Sequence, residues 1–211
     1  MYHMLLIYNI DMRLHTYLEH ILGNKATISI LRVLFNYKGK TFTERGLAKV
    51  SNLSNVEASR TVDQLEKFGI VRIQPVGKAY QISLNDRSYI LNKIVQPSLM
   101  AEKETLDALI RLLKKHLDTK KIVSATIFGS VVKGEEKEDS DIDLLVISDD
   151  FDYATEVVAN ASEEISSTFG TRISPIIFTR KDFTSKARND LIRSILSNHI
   201  LVTGIELEKL K

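Results

Sequence analysis

The sequence has no cysteine and no tryptophan, and its only prolines are at 75, 97 and 175. Without cysteine there can be no disulfide, no thiolate zinc site and no cysteine nucleophile. No apolar run reaches the ~18 residues that a bilayer-spanning helix requires. Residues 1–10 are apolar, but no basic residue precedes Arg13 and no small-residue cleavage site follows, which argues against a signal peptide and for the cytoplasm. Met12 is an alternative start that would make residues 1–11 an ill-ordered extension. A strong charge of one sign is missing too, since the 211 residues carry a net +2. With 44% apolar and 27% charged residues, wholesale disorder is excluded, and the length holds one large domain or two small ones. The charge is divided unevenly: residues 1–96 carry 13 Lys and Arg against 7 Asp and Glu, and residues 97–211 carry 16 against 20. A basic first part and an acidic second part suggest two modules with different partners.

In the first part, Ile28, Leu31, Leu34 and Phe35 recur at helical spacing over residues 24–37. A turn at Lys38-Gly39-Lys40 follows. Thr43 then caps a short helix over 44–50, with Glu44 in its first turn and Leu47 and Val50 directed inward. Ser54 caps a longer helix reaching Phe68, with Ala58, Val62, Leu65 and Phe68 on one face, and Gly69 closes it where a left-handed residue is wanted. Two β-type runs, 70–74 and 79–84, flank Pro75-Val76-Gly77-Lys78. This order of three helices and a hairpin, with the turn Leu65-Glu66-Lys67-Phe68-Gly69-Ile70-Val71, resembles archaeal and bacterial winged helix-turn-helix regulators over residues 24–85. The resemblance implies a recognition helix offering Asn55, Val56, Glu57, Ser59 and Arg60 to base edges of double-stranded DNA. Arg72 and Lys78 on the wing would contact phosphate or the minor groove. A structural or protein-docking role is the alternative, because Glu57, Asp63 and Glu66 repel phosphate and an excess of six cations is modest for electrostatic affinity.

Residues 85–96 read as a short helix, and Pro97 as the first turn of another. Over 98–117, Leu99, Leu106, Ile110, Leu113 and Leu117 form a stripe. That stripe packs on the protein's own domains or forms a homodimer seam. The expected organisation is a winged helix-turn-helix domain with an N-terminal extension (1–96), a connecting helix (97–120) and a second domain (121–211).

In the second part, residues 121–128 read as a strand running into Gly129-Ser130, and Asp141-Ile142-Asp143 opens another strand over 144–147. Alternation on a strand sends Asp141 and Asp143 to one side, with Cα atoms about 6.6 Å apart at ~3.3 Å per residue. Paired carboxylates are hard-oxygen ligands suited to Mg²⁺ or Mn²⁺. Gly129 permits close approach of a phosphate, and Ser130 offers a hydroxyl and backbone N–H groups to its oxygens.

The combination of strand, Gly-Ser, a loop with Lys133-Gly134, and Ser140-Asp141-Ile142-Asp143-Leu144-Leu145-Val146 resembles the signature of nucleotidyltransferases related to DNA polymerase β, in particular the minimal ones. The resemblance runs from about residue 121 to 204 and includes the closing segment 191–204. It implies an α+β fold with a mixed sheet. It also implies transfer of NMP from an NTP, ATP above all, to a hydroxyl, with Asp141 and Asp143 catalytic and metal-binding and Gly129, Ser130 and Lys133 binding nucleotide. Lys133 stands where that family usually has arginine. A toxin of the HEPN family is the partner that minimal members often have. One departure limits this. The family's third carboxylate falls on Ser174, in a strand over 172–178 that follows a helix over 153–169, and that strand has no Asp or Glu. Pro175 suggests an edge strand, and Asp182 is the nearest acidic substitute. Two functions therefore compete: a working nucleotidyltransferase with a DNA-binding module, and a DNA-binding regulator whose impaired transferase domain senses nucleotide. The five histidines, at 3, 15, 20, 116 and 199, show no metal-ligand spacing.

Overall fold

A computed structural model describes residues 17–77, 79–137, 139–186 and 189–210. The fold is α+β: helices and a two-stranded hairpin come first in the chain, then a long helix, then a four-stranded mixed sheet with helices. The chain divides into two units, Met1–Lys103 and Glu104–Lys211.

The first unit contains α1 (Leu18–Leu22), α2 (Lys25–Asn36), α3 (Glu44–Val50), α4 (Asn55–Lys67) and an antiparallel hairpin of β1 (Val71–Val76) and β2 (Ala79–Leu84). Helix starts follow side-chain chemistry. The Asn24 side chain accepts from the N–H groups of Ala26 and Thr27, Thr43 from Gly46, and Ser54 from Glu57, each satisfying amides with no partner inside their own helix. Gly69, at φ +65°, follows α4 in the left-handed region. Ile30, Leu31 and Leu34 meet Leu47, Val62, Leu65 and Ile82 in the core.

Three local expectations are corrected here. Val50 is half exposed, because the buried face of α3 runs through Leu47, Ala48 and Ser51 and Val50 lies about 100° round the axis. β1 continues through Pro75 and Val76, and Val76 pairs with Ala79, so the strand is longer than the run over 70–74. Pro75 faces Tyr80 across the ladder and lies on β1, which pairs with β2 alone, so its missing N–H is tolerated on an edge strand. Finally, Pro97 starts no separate helix. A π-helical turn, Leu91–Val95, leads without a break into α5 (Gln96–Leu117), with the Gln96 N–H donating to Leu91 O. This wider turn absorbs the register change just ahead of a residue that has no N–H to donate. Leu99 of α5 belongs to the first core, and Leu109, Leu113 and Leu117 belong to the second.

The second unit continues with β3 (Ser124–Phe128), α6 (Ser130–Lys133), β4 (Ile142–Ile147), α7 (Phe151–Phe169) and β5 (Ile173–Phe178). α8 (Arg180–Ser185), α9 (Asp190–Ser197), β6 (Ile200–Gly204) and a 3-10 turn (Leu207–Leu210) complete it. The sheet order is β5-β4-β3-β6, with β3 antiparallel to β4 and β6, and β4 parallel to β5. Both faces are covered. Ile142, Leu144 and Val146 pack with Leu113 and Leu117 of α5 and with Ala154, Val158 and Ile165 of α7. Leu145 and Ile147 point the other way, to Phe183, Ile192, Ile195 and Leu207. That period-2 alternation on a strand buried on both faces sets the direction of every β4 side chain, Asp143 included.

Candidate active site

Asp143 is the second residue of β4 and shares the face of Leu145 and Ile147. Its partner across the ladder is Phe128, the last residue of β3, so Gly129 emerges directly beside it. Gly129 has φ +80° and ψ −148°, a region essentially confined to glycine. A Cβ there would lie 2.1 Å from Asp143 Oδ2, far inside contact distance. The glycine thus makes the strand-to-helix turn and lets the carboxylate lie against the backbone. α6 follows as a single turn closed by Gly134 at φ +67°, with Ser130 half-buried at its start and Lys133 exposed at its end.

Asp141 lies just ahead of β4. Burial pushes the Asp143 carboxyl above its usual pKa, and the neighbouring charge of Asp141 pushes it further. A half-buried carboxylate beside a second one forms a donor set whose negative charge a hard divalent cation would offset, so these residues fit such an ion. Arg172 sets a positive charge beside Asp141: its Nε donates to Asp141 Oδ1 at 3.2 Å, and its carbonyl accepts from the Ile142 N–H at 2.8 Å. The sequence reading missed Arg172. The available signal was parallel register, since Arg172 precedes β5 as Asp141 precedes β4.

Ser174 is the parallel-ladder partner of Asp143, and it is exposed. The position nearest the aspartates on the edge strand β5 therefore carries a hydroxyl in place of a carboxylate. Asp182 does not substitute. It sits beyond the far end of β5 in α8, where its side chain accepts from the Thr179 hydroxyl and its N–H donates to it. At ~3.3 Å per residue, the strand separates it from the Ser174 end by more than about 13 Å. The acidic loop after α6 has its own bonds: Glu135 N–H donates to Ser130 O, and Lys137 N–H to Ser140 Oγ.

In the first unit, Asn55, Val56, Glu57 and Arg60 are exposed on the opening turns of α4, Ser59 is half-buried and Arg72 is exposed on β1. Lys78 lies outside the described residues, as do the first sixteen, which include both candidate starts. Among the described residues no helix is long and apolar enough to cross a membrane.

Residues 108–205 match the family model described as polymerase beta, nucleotidyltransferase. That span takes in β3, the Gly129-Ser130 turn and both aspartates. A curated relative in Methanocaldococcus jannaschii, named "Putative protein adenylyltransferase MJ1305", is 32% identical over 85 residues. The match covers 38% of this chain and 58% of that protein, so the chain spans little more than half of its relative's length. Among solved structures, a toxin–antitoxin crystal structure with AMP-PNP is 17% identical, over 49% of this chain and 78% of that one, with a TM-score of 0.33. A MarR family transcriptional regulator, SPO1453 from Silicibacter pomeroyi, is 23% identical, over 49% of this chain and 72% of that one, with a TM-score of 0.34.

Proposed function

We propose that the second unit is a nucleotidyltransferase that moves AMP from ATP to a hydroxyl of a protein acceptor. The observation that carries this reading is the Asp143 carboxylate seated against Gly129 with Asp141 beside it, at the mouth of a Gly-Ser turn. Asp141 and Asp143 would hold Mg²⁺ or Mn²⁺, an ion that offsets phosphate charge and helps ionise an attacking hydroxyl. Gly129 leaves the backbone open to a phosphate, and the Ser130 N–H and hydroxyl donate to its oxygens. Lys133 and Arg172 add positive charge for the triphosphate. In the reaction the acceptor hydroxyl gives up its proton to solvent water, its oxygen bonds to the α-phosphorus, the bond from that phosphorus to the oxygen bridging to the β-phosphate breaks, and pyrophosphate leaves with the electron pair. The named relative suggests protein as the acceptor class. The first unit would bring the transferase to double-stranded DNA through Asn55, Val56, Glu57, Ser59 and Arg60, with Arg72 and Lys78 on the wing.

The exposed Ser174 next to Asp143 favours a second reading, in which the site binds nucleotide without transferring it and the chain is a DNA-binding regulator. Incubation with α-labelled ATP and Mg²⁺, alone and with cell protein, separates the two. Label on a protein, lost in Asp143→Asn, supports transfer. Saturable ATP binding with no label on any protein supports the sensor, and absence of both overturns the site.

A further inference from the structure

His199, between α9 and β6, is the one histidine that the described fold places in a group of three metal-ligating side chains. Its ligand atom and those of Glu206 and Glu208 all lie within 4.8 Å of one another. Its side chain is nine-tenths buried. Nδ1 stands 2.9 Å from the carbonyl oxygen of Ile195, at the end of α9. A carbonyl only accepts, so Nδ1 carries the proton and donates. That leaves Nε2 as the ring's open position, 3.7 Å from Glu206 Oε2 and beyond hydrogen-bonding range. A backbone carbonyl fixing one nitrogen while the other faces anionic oxygens is the usual outer arrangement of a metal-binding histidine.

We propose that His199, Glu206 and Glu208 form a second divalent-metal site, selective for Zn²⁺, separate from Asp141 and Asp143. The donor set decides the ion: one imidazole nitrogen with two carboxylates suits Zn²⁺, whereas Mg²⁺ and Ca²⁺ prefer oxygen alone. Tetrahedral bonds of ~2.0–2.1 Å put ligand atoms about 3.3 Å apart. Glu206 and Glu208 are exposed and close that gap by side-chain rotation, while water fills the remaining position. The ion would clip the 3-10 turn, whose Leu207 is fully buried against Ile192 and Ile195, to the end of α9.

The test is calorimetric titration of tag-free full-length protein with Zn²⁺ in a D141N/D143N background, which removes the other carboxylate pair. One Zn²⁺ equivalent is expected to bind there, at least tenfold more weakly once His199→Gln is added, and to resist millimolar Mg²⁺. Glu206→Gln, an exposed change that leaves the core untouched, is expected to weaken it about tenfold and covers the case in which the histidine variant does not fold. The site is overturned if the D141N/D143N protein binds no Zn²⁺, if neither added change weakens binding, or if Mg²⁺ competes on equal terms.

Discussion

Gly129→Ala tests how tightly the turn and the carboxylate are coupled. Two separate penalties apply. The backbone at φ +80°, ψ −148° is one that an L-residue enters at a cost of about 1–3 kcal/mol. The new Cβ would also lie 2.1 Å from Asp143 Oδ2 and 3.0 Å from its Cγ, so the carboxylate must rotate away. On a domain of about a hundred residues, a loss of 1–3 kcal/mol lowers Tm by roughly 4–20 °C. The variant is therefore expected to unfold several degrees early in the transition of the second unit and to lose Mg²⁺-dependent ATP binding. A double-mutant cycle with Asp143→Ala divides the effect, because removing the carboxylate relieves the clash and leaves the backbone strain. Melting followed by circular dichroism, with ATP titrations on all four proteins, makes the comparison. An unchanged Tm together with unchanged ATP affinity in Gly129→Ala would refute the reasoning.

Other outcomes follow from the same structure. Asp143 keeps its proton to higher pH in the folded chain than in the unfolded one, so the native state binds more protons and stability falls as pH rises from the unfolded value, about 3.9, through the raised one. Urea unfolding should therefore show Asp143→Asn more stable than wild type at pH 7, with the gap closing near pH 3; a gap independent of pH would contradict this. Thr126, fully buried in β3, has a hydroxyl with no hydrogen-bond partner among the described residues, so Thr126→Val is expected to be neutral or to stabilise by up to about 1 kcal/mol by denaturant titration. A loss above 1 kcal/mol would mean that the hydroxyl is satisfied. Arg60→Ala should weaken duplex binding and reduce the salt slope by about one if Arg60 meets a phosphate; an unchanged slope and affinity in gel shifts would remove it from the interface.

What could be read from the sequence was what local chemistry decides. The caps Thr43 and Ser54, the left-handed Gly69 and the span of α3 all depend on groups a few residues apart. The placement of Asp143 was legible for a similar reason, because strand alternation ties it to Leu145 and Ile147. What escaped depends on neighbours distant in sequence. Val50 turned outward because α3 presents Leu47, Ala48 and Ser51 inward, with the Ser51 carbonyl accepting from the Ser29 hydroxyl of α2. Arg172 reaches Asp141 only through the parallel pairing of β4 and β5, and that same pairing sets Ser174 against Asp143. His199 shows no ligand spacing along the chain. It meets Glu206 and Glu208 only after β6 is laid beside β3 and the 3-10 turn folds back.

The most direct test of the aspartate corner is calorimetric titration of the full chain with Mn·ATP, in wild type and in Asp141→Asn/Asp143→Asn. A saturable, metal-dependent interaction in wild type, reduced at least tenfold in the double variant while circular dichroism stays the same, is the expected result. Equal affinity in both proteins, or no binding by wild type, would contradict the assignment of that corner to metal and nucleotide.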